Sequence, residues 1–167
     1  MMLDVAVDAD EDWDSSENWA TLARAAAEAA IAESAFPQLA AQSRPVEISV
    51  RLTGNDEVRA LNAQWRGKNQ PTNVLSFPLA ESDLLGEDCD GPELMLGDIV
   101  LAREVCAAEA KDKHLAIEDH AAHLLVHGTL HLLGYDHHDE ASAADMESRE
   151  TRALARLGIR DPYEGAR

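Results

Sequence analysis

Four short segments of the chain either alternate apolar with polar residues or are rich in β-forming residues, and both patterns are typical of β-strands. They are Leu3–Val7, Val46–Leu52, Val74–Phe77, which Pro78 ends, and Leu94–Leu101. The sequence therefore predicts a sheet of about four strands.

Five further segments have apolar residues at helical spacing, three or four positions apart. The first begins at Trp19, directly after the N-cap candidate Asn18. The others are Asp56–Trp65, Ala102–Lys113, Glu118–Leu133 and Glu140–Leu157. The first is expected to end before Pro37, and three of the others are followed by Gly67, Gly134 or Gly158. Glycine adopts the left-handed conformation that often ends a helix, so we expect helices in these places.

The predicted helix Glu118–Leu133 is apolar around most of its circumference, and a row of histidines is its main polar feature. A helix of this kind is buried instead of lying on the surface. We therefore expect it to be the central helix of the protein.

Composition and charge restrict the possible functions. The 167 residues are 46% hydrophobic, which suits one globular domain over residues 1–167. With 14 basic and 32 acidic residues the net charge is −18, so general electrostatic binding to nucleic acid or an anionic membrane is disfavoured. Seven acids between Asp4 and Glu17 and six between Glu81 and Glu93, without a base, predict solvated connections.

The predicted location of the protein is the cytoplasm. No apolar run reaches the roughly 18–20 residues that span a bilayer, and the acidic N-terminal segment does not have the pattern of a signal peptide. Cys89 and Cys106 are far apart and form no CxxC pair, so neither a disulfide framework nor a sulfur-ligated metal is expected.

The segment from His127 to His137 contains a candidate metal site. His127 and His131 are four positions apart on the predicted helix and project from one face. Gly134 then permits a sharp turn, and His137 follows six positions after His131. Three imidazole nitrogens suit one zinc ion with an open coordination position, as in catalytic sites.

Other histidines lie close to this motif. His123 is four positions before His127 and is an alternative partner for it, but only the pair His127 and His131 places the glycine and third histidine where the chain can turn back. We assign His123 and His120 to roles that orient the site by hydrogen bonds. His114 and His138 are expected on the surface.

The residue after His127 is Gly128, whereas HExxH metallopeptidases have a glutamate there as general base. Peptide hydrolysis is therefore less favoured than hydrolysis of a phosphodiester, whose own oxygen can accept or relay a proton. Asp136 is the nearest carboxylate, and it either orients a ligand or caps the turn.

The segment HGTLHLLGYDH closely resembles the signature HGxLHLxGYDH of the YbeY family, bacterial endoribonucleases and rRNA maturation factors. The resemblance extends to four more segments: Arg66-Gly67-Lys68, PTNVLSFP (71–78), LGDI (96–99) and LGIRDPY (157–163). It implies a single α+β domain with a mixed sheet, in which one zinc ion is bound by His127, His131 and His137. It also implies cleavage of single-stranded RNA, processing of the 16S rRNA 3′ end, small-subunit quality control and ribosomal partners.

The family's functional arginine corresponds to Arg66, which together with Lys68 lies in the least acidic loop of the chain. A guanidinium binds a phosphate through two parallel hydrogen bonds, so we assign both residues to substrate binding and Arg66 also to catalysis. Two alternatives remain: a zinc metallopeptidase, and a ribosome-assembly factor whose zinc is structural.

Overall fold

The computed structural model describes residues 3–11, 13, 18–40, 44–80, 85, 93–136 and 138–163. The strands in these residues are β1 (Leu3–Ala9), β2 (Val46–Thr53), β3 (Val74–Pro78) and β4 (Leu94–Ala102). The α-helices are α1 (Trp19–Ala32), α2 (Asn55–Arg66), α3 (Arg103–Asp112), α4 (Ile117–Leu132) and α5 (Glu140–Arg156), and a 3₁₀ helix covers Pro37–Ala40. Each predicted strand and helix is present, with ends that differ by a few residues.

The four strands form one sheet in the order β1-β2-β4-β3. β1 and β2 run parallel, as do β2 and β4, whereas β3 runs antiparallel to β4 at the edge. The mixed sheet of an α+β domain is therefore confirmed.

The two faces of the sheet are covered differently. α1 and α4 pack on one face, where Ile48, Leu52, Ile99 and Leu101 belong to the main core, and α5 packs on these two helices. On the other face, a smaller apolar cluster joins α2 to one end of the sheet; its buried members are Val58, Leu75, Val100 and Ala102. The rest of this second face lines an open groove.

α4 is the buried central helix that its apolar circumference predicts. It contacts α1, α3, α5, β3 and β4, and 11 of its residues are buried. Its C-terminal end is followed by Gly134, whose φ of 98° is left-handed. The polypeptide therefore leaves the helix where the sequence predicts a turn.

The segment after β1 departs from the expected solvated connection at Trp13. This side chain is only 2% exposed, donates from Nε1 to the Thr53 carbonyl oxygen at 3.0 Å and packs edge-on against Trp19. The predicted loop Glu81–Glu93 lies, apart from Leu85 and Glu93, outside the described residues. Every helix in the described ranges is too short or too polar to cross a bilayer.

Candidate metal centre

The two helical histidines of the motif lie side by side on α4. Their Nε2 atoms are 3.0 Å apart, and their rings are nearly perpendicular with centroids 4.5 Å apart. Two nitrogens bound to one tetrahedral zinc at about 2.0–2.1 Å are roughly 3.3 Å from each other. The pair His127 and His131 therefore fits one metal ion without a change of helix register.

A buried carboxylate holds the His127 ring from behind. Glu150 of α5 is 1% exposed, and its Oε1 lies 2.5 Å from His127 Nδ1. Because an ionised carboxylate only accepts hydrogen bonds, Nδ1 donates to Glu150 and Nε2 is the nitrogen that faces the pocket. Such a carboxylate and histidine pair is the usual support of a metal ligand.

Tyr163 holds the other oxygen of the same carboxylate. Its hydroxyl donates to Glu150 Oε2, and His123 Nε2 lies 3.3 Å from that hydroxyl and 3.7 Å from Glu150 Oε1. Burial alone raises the pKa of Glu150, but the imidazoles of His123 and His127 and the Tyr163 hydroxyl lower it to about 2. The carboxylate is therefore ionised at neutral pH.

Arg66 is brought to the histidines by the end of α2. Gly67 ends this helix with a φ of 70°, and the loop beyond it is held by a hydrogen bond from Asn62 Nδ2 to the Gln70 carbonyl oxygen at 2.8 Å. Arg66 and the two histidines line one pocket of about 290 Å³. Its other lining residues are Asn73, Val74, Ser76 and Asp136. We call it the histidine pocket.

The remaining candidate residues are placed in different ways. Asp136 lines the histidine pocket and pairs with His138 Nδ1 at 3.2 Å, whereas His123 lies behind the pocket with Glu150. Lys68 is exposed and does not line the pocket. His137 lies outside the described residues, and within those residues no group of three or more metal-binding side chains is placed to hold an ion.

His120 supports the wall of the pocket instead of its histidines. Its Nε2 lies 2.8 Å from Glu109 Oε1, which also accepts a hydrogen bond from Asn73 Nδ2 at 3.0 Å. Asn73 in turn lines the histidine pocket. Burial lowers the pKa of His120, so its ring is neutral at pH 7 and serves to position the loop before β3.

Gly128 is a point of close contact between α4 and the sheet. A Cβ atom at this position would lie 3.0 Å from Ile99 Cγ2 and 3.2 Å from Ser76 Oγ. A side chain at this position therefore crowds Ile99 and Ser76, and the packing of the helix disfavours the glutamate that metallopeptidases use as general base.

Glu150 and Tyr163 are site residues that sequence reasoning did not identify. The signal for Glu150 is its position between Met146 and Leu154, where it is a lone acid on the buried face of a helix. Charged residues are rarely buried unless they are paired, so an acid on such a face indicates a polar partner inside the protein.

Comparison with known proteins identifies the family. The family model described as Endoribonuclease YbeY matches residues 7–158. This chain belongs to the YbeY family. The signature from His127 to His137 that indicated the family falls within the matched residues.

Curated relatives match the chain over nearly its full length. The Endoribonuclease YbeY of Sphingopyxis alaskensis is 51% identical over 164 residues, which cover 97% of this chain and 98% of that protein. That of Agrobacterium fabrum is 47% identical over 169 residues and covers 98% and 95%. The solution structure of TM1509 from Thermotoga maritima matches this chain with a TM-score of 0.54 at 23% sequence identity. The match covers 92% of this chain and 91% of that one, and it supports the fold alone.

Proposed function

We propose that this chain is a zinc-dependent endoribonuclease that cleaves single-stranded RNA during ribosomal RNA maturation. The observation that carries the proposal is the pair of Nε2 atoms 3.0 Å apart, with a buried carboxylate on the far nitrogen of His127. Membership of the YbeY family supplies the enzyme class. We also propose that residues 1–167 form one hydrolase domain.

His127, His131 and His137 are the proposed ligands of one zinc ion per chain. A zinc ion held there supplies a Lewis acid for a phosphoryl group and activates water. Glu150 fixes the His127 ring so that Nε2 faces the pocket, and His123 and Asp136 support the site at its back and its rim. Nitrogen ligands also bind nickel and other divalent ions, so the experiment below compares metals.

Arg66 is the proposed phosphate ligand of the protein. Arg66 lines the histidine pocket, and its planar guanidinium can hold two oxygens of a phosphodiester. The positive charge offsets the negative charge that develops on the phosphoryl group during cleavage. Lys68, two residues further on, is proposed to contact the RNA outside the pocket.

The net charge of −18 disfavours general binding to RNA, so delivery of the substrate by the ribosome or by small-subunit proteins is part of the proposal. The 3′ end of 16S rRNA is the proposed processing site, and small-subunit quality control is the proposed wider role.

The test measures metal content and cleavage together. Purified protein loaded with zinc, nickel or manganese is incubated with single-stranded RNA, duplex RNA and a generic peptide, with and without a chelator. We expect about one ion per chain, cleavage of the single strand only, and loss of cleavage with the chelator. His131→Ala should lose both metal and cleavage, whereas His114→Ala, an exposed histidine outside the site, should keep both.

Two results would contradict the proposal. Peptide cleavage without RNA cleavage would favour a metallopeptidase. A tightly bound metal in a protein that cleaves neither substrate, even with ribosomal particles present, would favour a structural zinc.

A further inference from the structure

A second and larger cavity lies on the face of the sheet that α1 and α4 do not cover. It has a volume of about 1010 Å³, which is at the upper end of the range of small-molecule sites, and we call it the sheet groove. One row of paired residues crosses all four strands in its floor: Ala6, Ser49, Asp98 and Phe77. Ala6 and Ser49 are small, so there is space beside the Asp98 carboxylate.

An exposed tryptophan forms the wall of the sheet groove. Trp65 is 64% exposed although it lies on the same face of α2 as the buried Val58. The edge of its ring system meets Phe77, with ring centroids 6.4 Å apart and an interplanar angle of 65°. An aromatic side chain that is held at one edge and open to solvent is suited to stacking against a flat ring.

The sheet groove adjoins the histidine pocket. Arg66 and Ser76 line both cavities, and Trp65 directly precedes Arg66 in the chain. A strand of RNA whose phosphate is bound by Arg66 therefore has its neighbouring nucleotide at the entrance of the groove.

The charges in the sheet groove favour a base over a phosphate. Arg51 in its floor is already paired with Asp8 and with Glu57, each at 3.2 Å, and Asp98 adds a further negative charge. A phosphate is repelled by such a floor, whereas an uncharged base is not. A carboxylate accepts hydrogen bonds from the exocyclic amino groups of bases.

We propose that the sheet groove binds a nucleobase of the single-stranded RNA substrate, next to the phosphate at Arg66. The base stacks on the Trp65 indole and donates its amino group to the Asp98 carboxylate. Adenine, cytosine and guanine are therefore preferred to uracil, which has no exocyclic amino group. This inference rests on the proposed function, because it assigns the substrate's position at the same site.

Binding is measured first, with ligands that the enzyme cannot cut internally. The chain has three tryptophans, and Trp13 and Trp19 are 2% and 6% exposed, so quenching of tryptophan fluorescence by a stacked base reports on Trp65. Adenosine monophosphate should quench the fluorescence of the metal-loaded protein, uridine monophosphate should quench it less, and ribose 5-phosphate should leave it unchanged. Quenching by ribose 5-phosphate as strong as that by adenosine monophosphate would overturn the proposal.

Cleavage is measured next, on oligonucleotides rich in adenine or in uracil. Trp65→Ala should raise KM for the adenine-rich substrate roughly 5- to 150-fold, the range for loss of one base stacked on an aromatic ring, and Trp65→Phe should restore part of it. Asp98→Asn should reduce the preference for adenine over uracil. The matched controls are Met95→Ala, an exposed apolar residue of β4 outside the groove, and Asp112→Asn, an exposed acid of α3; both should behave like the wild type.

The results separate this inference from the proposed function. If the wild type cleaves RNA and the Trp65 and Asp98 variants keep both its KM and its preference for adenine over uracil, the groove does not bind a base and this inference is wrong. If the wild type cleaves no RNA, the proposed function fails, and the quenching by mononucleotides alone decides whether the groove binds a base.

Discussion

The two nitrogens of His127 have different environments. Nδ1 contacts the buried Glu150 carboxylate, whereas Nε2 lies 3.0 Å from His131 Nε2 at the pocket. Since a carboxylate only accepts hydrogen bonds, it fixes Nδ1 as the nitrogen that donates to Glu150 and leaves Nε2 at the pocket. Residues of α5 and of the segment after it thus orient a proposed metal ligand that belongs to α4.

Replacement of Glu150 by glutamine should weaken metal binding roughly 10- to 100-fold, because the amide no longer carries the charge that holds the His127 tautomer. Tyr163→Phe should have a smaller effect in the same direction, since it removes one hydrogen bond to the same carboxylate. The measurements are calorimetric titration with zinc and the ¹⁵N chemical shifts of the His127 ring. Glu147→Gln on the same helix is the control. Unchanged metal affinity together with an altered ring tautomer would contradict this assignment of Glu150.

Arg66→Ala should lower the rate of RNA cleavage by about 10²- to 10³-fold, the effect of deleting one positioned donor to the developing charge. Zinc content and stability should not change, because the residue is exposed at the end of α2. Arg66→Lys keeps the charge but not the planar pair of donors, so it should recover only part of the rate. The measurements are the single-turnover rate of RNA cleavage and the metal content of each variant. The control is Arg59→Ala, which replaces an exposed arginine of α2. A wild-type rate in Arg66→Ala would leave Lys68 as the next candidate.

Among the elements, α4 and β4 approach each other at two glycines. A Cβ at Gly97, where φ is 147°, would lie 2.3 Å from the Phe77 carbonyl oxygen and 2.7 Å from Leu132 Cδ2. The corresponding contacts at Gly128 are 3.0 Å and longer and involve side chains of Ile99 and Ser76. The sheet therefore leaves no space for a side chain at Gly97 and very little at Gly128.

Gly97→Ala should destabilise the protein more than Gly128→Ala. At Gly128 the overpacking cost of about 1–3 kcal/mol is partly offset by the better helix propensity of alanine, worth about 1 kcal/mol. At Gly97 a backbone atom is in the way and the backbone conformation is strained for alanine, so the protein should lose more stability than at Gly128. Urea unfolding of both variants checks the order. Equal midpoints would show that the helix shifts to accept the methyl group at either place.

The sequence predicts the individual elements well because each apolar pattern reports on its own local burial. Val46–Leu52 and Glu118–Leu133 were expected where β2 and α4 lie. The spacing of His127 and His131 likewise predicts their shared face, since it depends only on helix geometry. The metal-ligand set stays a prediction, because His137 lies outside the described residues.

Long-range partners were not predictable in the same way. Glu150 contacts a histidine 23 positions earlier, and Trp13 donates to a carbonyl oxygen 40 positions later. Helical spacing places Trp65 on the same face of α2 as Val58, but it does not predict that Trp65 remains 64% exposed beside a groove. Such features depend on how the helices pack on the sheet, which periodicity does not report.

At the scale of the whole molecule, one carboxylate connects the end of α1 to the last helix. Glu33 accepts hydrogen bonds from Arg152 at 2.9 Å and from Arg156 at 2.6 Å, and Arg149 donates to its backbone carbonyl oxygen at 2.7 Å. Three arginines of α5 thus converge on one residue. The hydrogen bond from Arg156 is the main cause of a lowered pKa for Glu33, together with that from Arg152, although partial burial acts in the opposite direction.

This connection should make stability depend on pH. Because the pKa of Glu33 is lower in the folded than in the unfolded protein, its contribution is complete above about pH 4.5 and is lost as pH falls through the folded pKa. Both arginines are about half exposed, so each pair should contribute at most about 1 kcal/mol. Glu33→Gln should therefore lower the urea midpoint at pH 7 and differ less from the wild type at pH 3. A constant difference between the two proteins at both pH values would contradict this account.

The hydrogen bonds that join Tyr163, Glu150 and His127 also determine when, during synthesis of the polypeptide, the histidine pair becomes fully oriented. The ribosome produces His127 and His131 well before the residues that orient the first of them. A nascent chain that ends before Glu150 has the two imidazoles but not the carboxylate that sets the tautomer of His127. The histidine pair is therefore fully oriented only after the segment containing Tyr163 has left the exit tunnel.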